Sequence, residues 1–313
     1  MLRKRFLGSL FPALLLLPFA CQAQAGVRVS ADGQLPLPMI GVAACLSPAG
    51  DLETVGGFTG RRSLTEIYER SNGRWSAVAQ LPRPTHDAAA GYLNGSLFIF
   101  GGGQAYSTRA LLRVQGSHAV HVAYLGHPLS DAVTRPYRLH GVDGLIMVGG
   151  HGGPDVRKVY FIRSMNGGHT RWRTLFSLPV GVRYTAVAVE GSTVFVAGGL
   201  SARGRVDSAW SWQPGEAAPQ RLPSLPRPLE KAAAFAWEGT VYVVGGLGNG
   251  GRISADILAY HAGQRGWRRV GRLPGPLADM GYVQQGRNGY LLGGMSGPSS
   301  HSAGRRVWHL RLQ

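Results

Sequence analysis

The sequence of 313 residues is poor in cysteine and lysine, and no long apolar run follows its first 25 residues. It contains two cysteines, Cys21 and Cys45, and only three lysines among 33 basic residues. The apolar stretch from Phe6 to Phe19 is too short to span a bilayer comfortably. We therefore expect a protein with no membrane span whose fold is stabilised by packing rather than by disulfides, with Cys45 as a buried structural thiol.

The N-terminus has the pattern of an export signal. Three basic residues at 3–5 precede the apolar stretch, and Ala23-Gln24-Ala25 is a small-residue cleavage site. This pattern predicts a signal peptide over residues 1–25 and a mature chain, residues 26–313, exported to the periplasm. An alternative is a lipoprotein attached through Cys21, although the residues before Cys21 match a lipobox poorly.

Acidic residues are also scarce, since the chain has 16 of them and a formal net charge of +17. The arginines are scattered and form no basic run or nucleic-acid motif, so we expect no nucleic-acid partner. A field of this sign would attract acidic small molecules. The 47 glycines and 19 prolines indicate a turn-rich all-β protein, because the apolar fraction is too ordinary for disorder.

Several motifs that carry known chemistry are missing. The glycine-rich stretches lack the spacing of phosphate or dinucleotide loops, and there is no G-x-S-x-G nucleophile elbow. The ten histidines are dispersed without ligand pairs at strand or helix spacing. The sequence therefore predicts no cofactor and no metal.

What the chain has instead is a repeat built on Gly-Gly doublets. Each of six doublets follows a short apolar run, and successive doublets are 45, 48, 49, 47 and 48 residues apart. The doublets begin at Gly56, Gly101, Gly149, Gly198, Gly245 and Gly293. A period of this length is typical of a β-propeller, and the non-alternating runs indicate strands that are buried on both faces.

A second mark, a leucine usually followed by proline, lies 20 or 21 residues before each doublet. The leucines are Leu35, Leu81, Leu129, Leu178, Leu225 and Leu273, and Leu129 alone lacks the proline. An innermost strand of small residues should follow each mark, then a tight turn and the apolar strand. Asn94-Gly95, Asp143-Gly144 and Asn288-Gly289 are the predicted turns, because two-residue hairpins favour such pairs.

The repeat resembles the kelch family, whose marks are Gly-Gly, then Tyr, then Trp in units of 45–50 residues. The resemblance covers the whole mature chain and implies an all-β fold, a six-bladed kelch-type β-propeller. The last blade ends one strand short. We expect Gly26 to Ser30 to supply that outer strand, which would close the ring and remove an open edge.

Ligands of propellers usually meet the loops that enter the innermost strands and the loops after the second strands. The predicted register places six residue pairs at one mouth of the channel: Ile40-Gly41, His86-Asp87, Thr134-Arg135, Arg183-Tyr184, Glu230-Lys231 and Ala278-Asp279. Among these, arginines can grip a carboxylate bidentately. The set predicts either a site for a polar, anionic ligand or a group of solvated loop residues and ion pairs between blades.

Within the kelch propellers, the chain resembles the periplasmic N-acetylneuraminate epimerase family, the sialic acid mutarotases. That family carries a glutamate after a glycine in blade four and an arginine a few residues later. Here Arg205 matches the arginine and Asp207 the aspartate that follows it, but Leu200 occupies the glutamate position. Because ring opening needs an acid and a base, another carboxyl must replace that glutamate.

Two functions follow as alternatives. The resemblance implies a sugar mutarotase for an anionic sugar such as N-acetylneuraminate. The other function is a non-catalytic propeller that binds a glycan or a protein partner through the same face. The candidate catalytic residues are Glu230, Asp87 and Arg205; the candidate substrate-binding residues are His86, Arg135, Arg183, Tyr184, Lys231 and Asp279.

Overall fold

The computed structural model describes residues 26–165 and 169–313. In these two segments the chain forms 26 β-strands and short 3-10 turns, and no α-helix. The predicted signal peptide, residues 1–25, lies outside the described residues, as does Cys21. Within the described segments no helix is long and apolar enough to cross a membrane.

The strands form six four-stranded antiparallel blades, as the repeat predicts. Blade one contains β2 (Ala43–Leu46), β3 (Leu52–Val55), β4 (Leu64–Ser71) and β5 (Arg74–Thr85). Blade two contains β6 (Ala89–Leu93), β7 (Ser96–Phe100), β8 (Thr108–Gln115) and β9 (His118–Leu129). Blade three contains β10 (Val133–Leu139), β11 (Val142–Val148), β12 (Lys158–Ser164) and β13 (Thr170–Ser177).

Blade four is interrupted by a small hairpin between its second and third strands. Its strands are β14 (Ala186–Glu190), β15 (Thr193–Ala197), β18 (Ala209–Trp212) and β19 (Gln220–Leu222), and the hairpin pairs β16 (Leu200–Ser201) with β17 (Gly204–Arg205). Blade five contains β20 (Ala233–Trp237), β21 (Thr240–Val244), β22 (Asp256–His261) and β23 (Arg268–Arg272). Blade six contains β24 (Gly281–Gln285), β25 (Asn288–Leu292), β26 (Arg306–Leu312) and β1 (Val27–Gln34).

The N-terminal strand closes the ring, which confirms the prediction for residues 26–30. β1 pairs antiparallel with β26, with Val27 opposite Leu312 and Val29 opposite Leu310. The backbone N–H of Gln313 also donates to the carbonyl of Gly26 at 3.0 Å. The two ends of the described chain therefore share one sheet, and blade six has no missing outer strand.

The core is divided among the six interfaces between neighbouring blades. In β7, Leu97 and Ile99 pack towards blade one, whereas Phe98 and Phe100 pack towards blade three. Alternate side chains of one strand thus enter two different clusters, as the two-residue period of a strand requires. This arrangement explains why the apolar runs do not alternate with polar residues.

The glycine doublets turn the chain where the second strand leaves each blade. Gly101 has a φ of +62°, and a Cβ built there would lie 2.0 Å from the carbonyl oxygen of Leu129 at the end of the outer strand of the same blade. Both the backbone conformation and the close approach therefore require glycine.

Blade three departs from the predicted register. Leu125, not Leu129, holds the position of the leucine mark, because the carbonyl of Leu129 accepts from Gly102 as that of Thr85 accepts from Gly57. The β10–β11 hairpin is longer by two residues in each strand and turns at His140-Gly141. The predicted turn at Asp143-Gly144 was wrong, since both residues lie in β11.

The predicted turn at Asn288-Gly289 was also wrong. Both residues lie in β25, where Asn288 pairs with Gln285, so the chain turns at Gly286-Arg287. The turn at Asn94-Gly95 is confirmed, and both of its residues have positive φ.

Candidate functional site

The candidate site is built on a ring of six residues that surrounds the propeller axis, here called the axial ring. Each ring residue lies just before an innermost strand, has a φ of +53° to +60°, and donates its backbone N–H to the carbonyl of the preceding member. The six hydrogen bonds, 2.7–3.2 Å long, close the circle. The members are Gly41, Asp87, Asp131, Tyr184, Lys231 and Asp279.

Five of the six ring positions match the prediction, and the exception lies at the boundary between blades two and three. Asp131 occupies the ring position that the sequence assigned to Arg135. The prediction that Arg135 lies at this mouth was wrong, because the register was counted from Leu129 and the longer hairpin of blade three shifts it by four residues. Arg135 lies instead within β10, in the wall of the channel.

The side chains of the ring form a compact group of three carboxyls, one ammonium and one phenol. Lys231 Nζ lies 2.7 Å from Asp279 Oδ2 and 4.4 Å from the centre of the Tyr184 ring. Asp131 Oδ2 accepts a hydrogen bond from Ser130 Oγ at 2.8 Å. These residues border a small cavity of about 90 Å³ on the axis.

Burial and mutual repulsion change the protonation of this group. Burial raises the pKa of Asp87 well above its ordinary range, and the neighbouring carboxylates of Asp279 and Asp131 raise it further. Burial likewise raises the pKa of Asp131. Burial would lower the pKa of Lys231, but the carboxylates of Asp279 and Asp87 outweigh it and the net direction is upward. The ring therefore combines an ammonium whose charge is stabilised with two carboxyls, Asp87 and Asp131, whose pKa values are raised.

A second tier of polar side chains lies around the ring, and it includes the pair Arg205 and Glu230. Arg205 projects from the small hairpin of blade four, and its Nη2 forms an ion pair with Glu230 Oε1 at 2.6 Å. The side chain of Glu230 is 4% exposed, and its Oε2 has no hydrogen-bond partner among the described residues. The structure thus joins two candidate catalytic residues that lie 25 positions apart in the sequence.

Arg183, at the entry to blade four, and His86, at the entry to blade two, lie in the same tier. Arg183 Nη1 donates to Asp155 Oδ1 at 2.7 Å, and His151 Nδ1 lies 3.0 Å from the same oxygen. His86 Nδ1 lies 2.8 Å from Ser63 Oγ. Burial lowers the pKa of His86, against the opposing effect of Asp131 and Asp279. Both predicted residues therefore border the mouth, but each is already held by a neighbour.

The rest of the mouth is apolar. A cluster above blades one, five and six contains Ile40, Ala278 and Met295, with Phe58 and Leu247 packed against it. The polar tier belongs mainly to blades two to four, so a ligand seated on the axis would meet charge on one side and hydrocarbon on the other.

A second cavity lies at the opposite end of the channel. It has a volume of about 600 Å³ and is lined by the far halves of the innermost strands and by their hairpin turns. Arg135 lines this cavity, with its Cζ 3.7 Å from the centre of the Tyr282 ring. This end was not considered in the sequence analysis, since the spacing of the repeats indicates the mouth loops but not the channel width.

Asp131, Asp155 and His151 lie at the mouth but are not among the site residues predicted from the sequence. Asp131 could have been found from the missing proline after Leu129, which signalled an irregular third repeat. Asp155 and His151 lie in a variable loop whose path the repeat does not specify. Cys45 is buried as expected, and its Sγ lies 3.4 Å from Glu53 Oε2. In the described segments, no group of three or more His, Cys, Asp or Glu residues is arranged to hold a metal ion.

Comparisons with known proteins identify the fold. No protein-family model matches the chain. Kelch-like protein 38 of Homo sapiens is 27% identical over 141 residues, which are 42% of this chain and 23% of that protein, so the chain spans less than a quarter of this relative. A solved structure entitled "Structure of YjhT" superimposes with a TM-score of 0.72 at 15% identity, over 90% of this chain and 96% of that one. At this identity the likeness concerns the fold, and the chain is a kelch-type β-propeller.

Proposed function

We propose that the chain is an exported sugar mutarotase that opens and recloses the ring of an anionic sugar, such as N-acetylneuraminate, at the axial mouth. The observation that carries this proposal is the pair of Arg205 and Glu230. Arg205 matches the arginine of the epimerase family, and Glu230 supplies from blade five the carboxylate that Leu200 does not supply from blade four.

Glu230 has the features of a proton acceptor. Arg205 holds one carboxylate oxygen at 2.6 Å, and the other oxygen has no partner among the described residues. A buried acceptor without a partner is costly, and a substrate hydroxyl would satisfy it. In the proposed reaction Glu230 takes the proton of the anomeric hydroxyl while the bond between the anomeric carbon and the ring oxygen breaks.

Asp87 is suited to the opposite role. It lies across the axial ring from Lys231, which directly follows Glu230, so a sugar on the axis would sit between the two carboxyls. Because burial raises the pKa of Asp87, we assign its carboxyl the role of the proton donor to the ring oxygen. Reclosure on the other face of the carbonyl reverses both transfers and leaves enzyme and sugar with their original protons.

In this proposal, the arginines at the mouth bind the carboxylate of the sugar. Arg183 is 26% exposed and Arg205 25% exposed, so both present N–H groups to a ligand. His86, Tyr184, Lys231 and Asp279 shape the floor and wall of the same site. Arg135 has no part in it, because it lies in the channel wall.

The test is proton NMR of freshly released α-N-acetylneuraminate with and without the purified protein. We expect faster equilibration to the β-anomer, reduced about 10²–10⁴-fold in Glu230→Gln, because general-base catalysis contributes roughly that factor. Glu216→Gln is the matched control, since its carboxylate accepts from the backbone N–H of Gln213 in a turn of blade four.

A second candidate function, non-catalytic binding of a glycan or a protein partner, is kept because Leu200 replaces the family's glutamate. Unchanged anomerisation of N-acetylneuraminate and of fresh α-galactose would favour it over the mutarotase. Export is part of the proposal and rests on the N-terminal pattern; recovery of the protein from a periplasmic fraction, with loss of residues 1–25, would support it.

A further inference from the structure

We infer that the cavity at the far end of the channel is a second binding site, which takes a small monoanionic carboxylic acid with an aromatic or aliphatic body. The inference is independent of the mutarotase proposal, because it uses none of the mouth residues. It rests on the size of the cavity, on its lining, and on the state of Arg135.

The cavity has the dimensions of a small-molecule site. Its volume of about 600 Å³ lies within the range of roughly 300–1,000 Å³ that ligand pockets occupy. Most of its wall is hydrocarbon from the innermost strands, including Ala90, Ala188 and Ala236, and Trp237 and Tyr282 contribute aromatic rings. Such a wall favours an apolar body in the ligand.

The polar groups of this wall are occupied, with one exception. Tyr92 donates its hydroxyl proton to Glu53, Tyr137 donates to the carbonyl of Ser192, and Tyr282 donates to the carbonyl of Val187. Gln284 donates to the carbonyl of Ala236. These side chains shape the cavity but leave few donors for a ligand.

Arg135 is the exception. Its Nη1 donates to the carbonyl of Thr134 at 2.7 Å and its Nε to the carbonyl of Val187 at 3.2 Å, while Nη2 has no partner. No carboxylate of the described residues forms an ion pair with it. Burial lowers the pKa of Arg135, which expresses the cost of holding this charge away from water. An anion in the cavity would offset that cost.

The number of arginines in the cavity lining indicates the charge of the ligand. Arg138, the other arginine of the lining, lies at the outer rim, is 69% exposed, and faces Asp143 at 3.7 Å. The lining carboxylates are held by other groups, since Asp143 faces Arg138 and Glu190 accepts from the backbone N–H of Gly239 at 3.0 Å. With one guanidinium that lacks an ion-pair partner, a monoanion is matched and a phosphate dianion is not. A carboxylate therefore fits better than a phosphate ester.

The experiment uses 2-naphthoate as the probe and 2-naphthamide as its neutral counterpart, with isothermal titration calorimetry on the whole protein. We expect one equivalent of naphthoate to bind and naphthamide to bind at least tenfold more weakly. Arg135→Met should remove this preference. Arg221→Met is the matched control, because Arg221 also stacks on an aromatic ring, that of Trp210, but on the outer strand of blade four.

Three results would overturn the inference: equal binding of the acid and the amide, unchanged binding in Arg135→Met, or loss of binding in Arg205→Met with retention in Arg135→Met. The last result would place the probe at the mouth. If Arg135→Met does not fold, the ¹⁵N NMR spectrum of the wild-type protein tests whether naphthoate binds in the far cavity. Naphthoate should shift the indole N–H of Trp237, assigned with Trp237→Phe, and an unmoved signal would contradict the site.

Discussion

The two ends of the channel differ in the number of charged side chains and in how those charges are paired. At the mouth, three carboxyls and an ammonium crowd around the axis, and nearly every charge has a partner within hydrogen-bonding distance. At the far end, the guanidinium of Arg135 lies in a mostly apolar wall and forms no ion pair with a described residue, because the lining carboxylates Asp143 and Glu190 contact Arg138 and Gly239 instead. The mouth is therefore suited to moving protons, and the far cavity to holding an anion. Net charge of the chain does not predict this division.

Strand β1 closes the ring of blades that surrounds the whole channel, and its removal should have the largest effect. A chain beginning at residue 32 loses the packing of Val27 and Val29 and leaves β26 as an open edge. We expect a loss of at least about 5 kcal/mol and a fall in Tm of roughly 10–20 °C relative to a chain beginning at residue 26.

Thermal unfolding followed by circular dichroism measures this effect. Substitutions on the exposed side of the same strand, Arg28→Ser and Ser30→Ala, should change Tm little. An unaltered Tm in the shortened chain would show that ring closure does not depend on β1.

Lys231→Met tests the charged group at the mouth of the channel. It leaves Asp279 and Asp87 without their ammonium in a poorly solvated ring, and breaking a buried ion pair in this way costs about 3 kcal/mol. Urea unfolding at pH 7 should show that loss, whereas the double variant Lys231→Met with Asp279→Leu should recover part of it. A single variant as stable as the wild type would mean that solvent screens the ring.

Glu53→Gln tests the buried carboxyl behind the wall of the far cavity, to which the wall residue Tyr92 donates a hydrogen bond at 2.8 Å. Burial raises the pKa of Glu53 from 4.5 to about 7, against the lowering effect of hydrogen bonds from Tyr92 and Cys45. Since folding raises this pKa, the carboxyl's contribution is fully present below about pH 4.5 and is lost as the pH rises through about 7.

Glutamine mimics the protonated acid, so the variant should match the wild type near pH 4 and exceed it by about 2–3 kcal/mol above pH 8. Denaturant unfolding across this pH range tests the difference, with Glu216→Gln as the exposed control. A stability difference that does not vary with pH would contradict the raised pKa.

Much of the architecture could be predicted from the sequence because each repeat carries its own local signals. The doublet at Gly101 needs a left-handed backbone, and the alternation of Leu97 and Phe98 between two interfaces needs a strand buried on both faces. The strand missing from the last repeat was enough to predict the closing strand. These requirements are local, so the sequence pattern indicates them directly.

The candidate site was predicted only in part. The spacing brought His86, Asp87, Arg183, Tyr184, Glu230, Lys231 and Asp279 to one mouth, and the structure places them there. It failed in blade three, where four extra residues in a hairpin moved Arg135 off the mouth and put Asp131 in its place. The doublets before and after this hairpin are still 48 residues apart, as elsewhere in the chain, so counting could not detect the shift.

The sequence by itself therefore determined the number of blades, the strand order within each blade, and the closure of the ring, because those follow from local backbone and burial preferences. Only the tertiary structure decided that Arg205 meets Glu230, that Asp87 lies across the axis from Lys231, and that Arg135 lines a cavity without forming an ion pair with a described residue. Those relations join side chains from different blades, and the angle at which blades pack around the axis is set by the whole ring of interfaces.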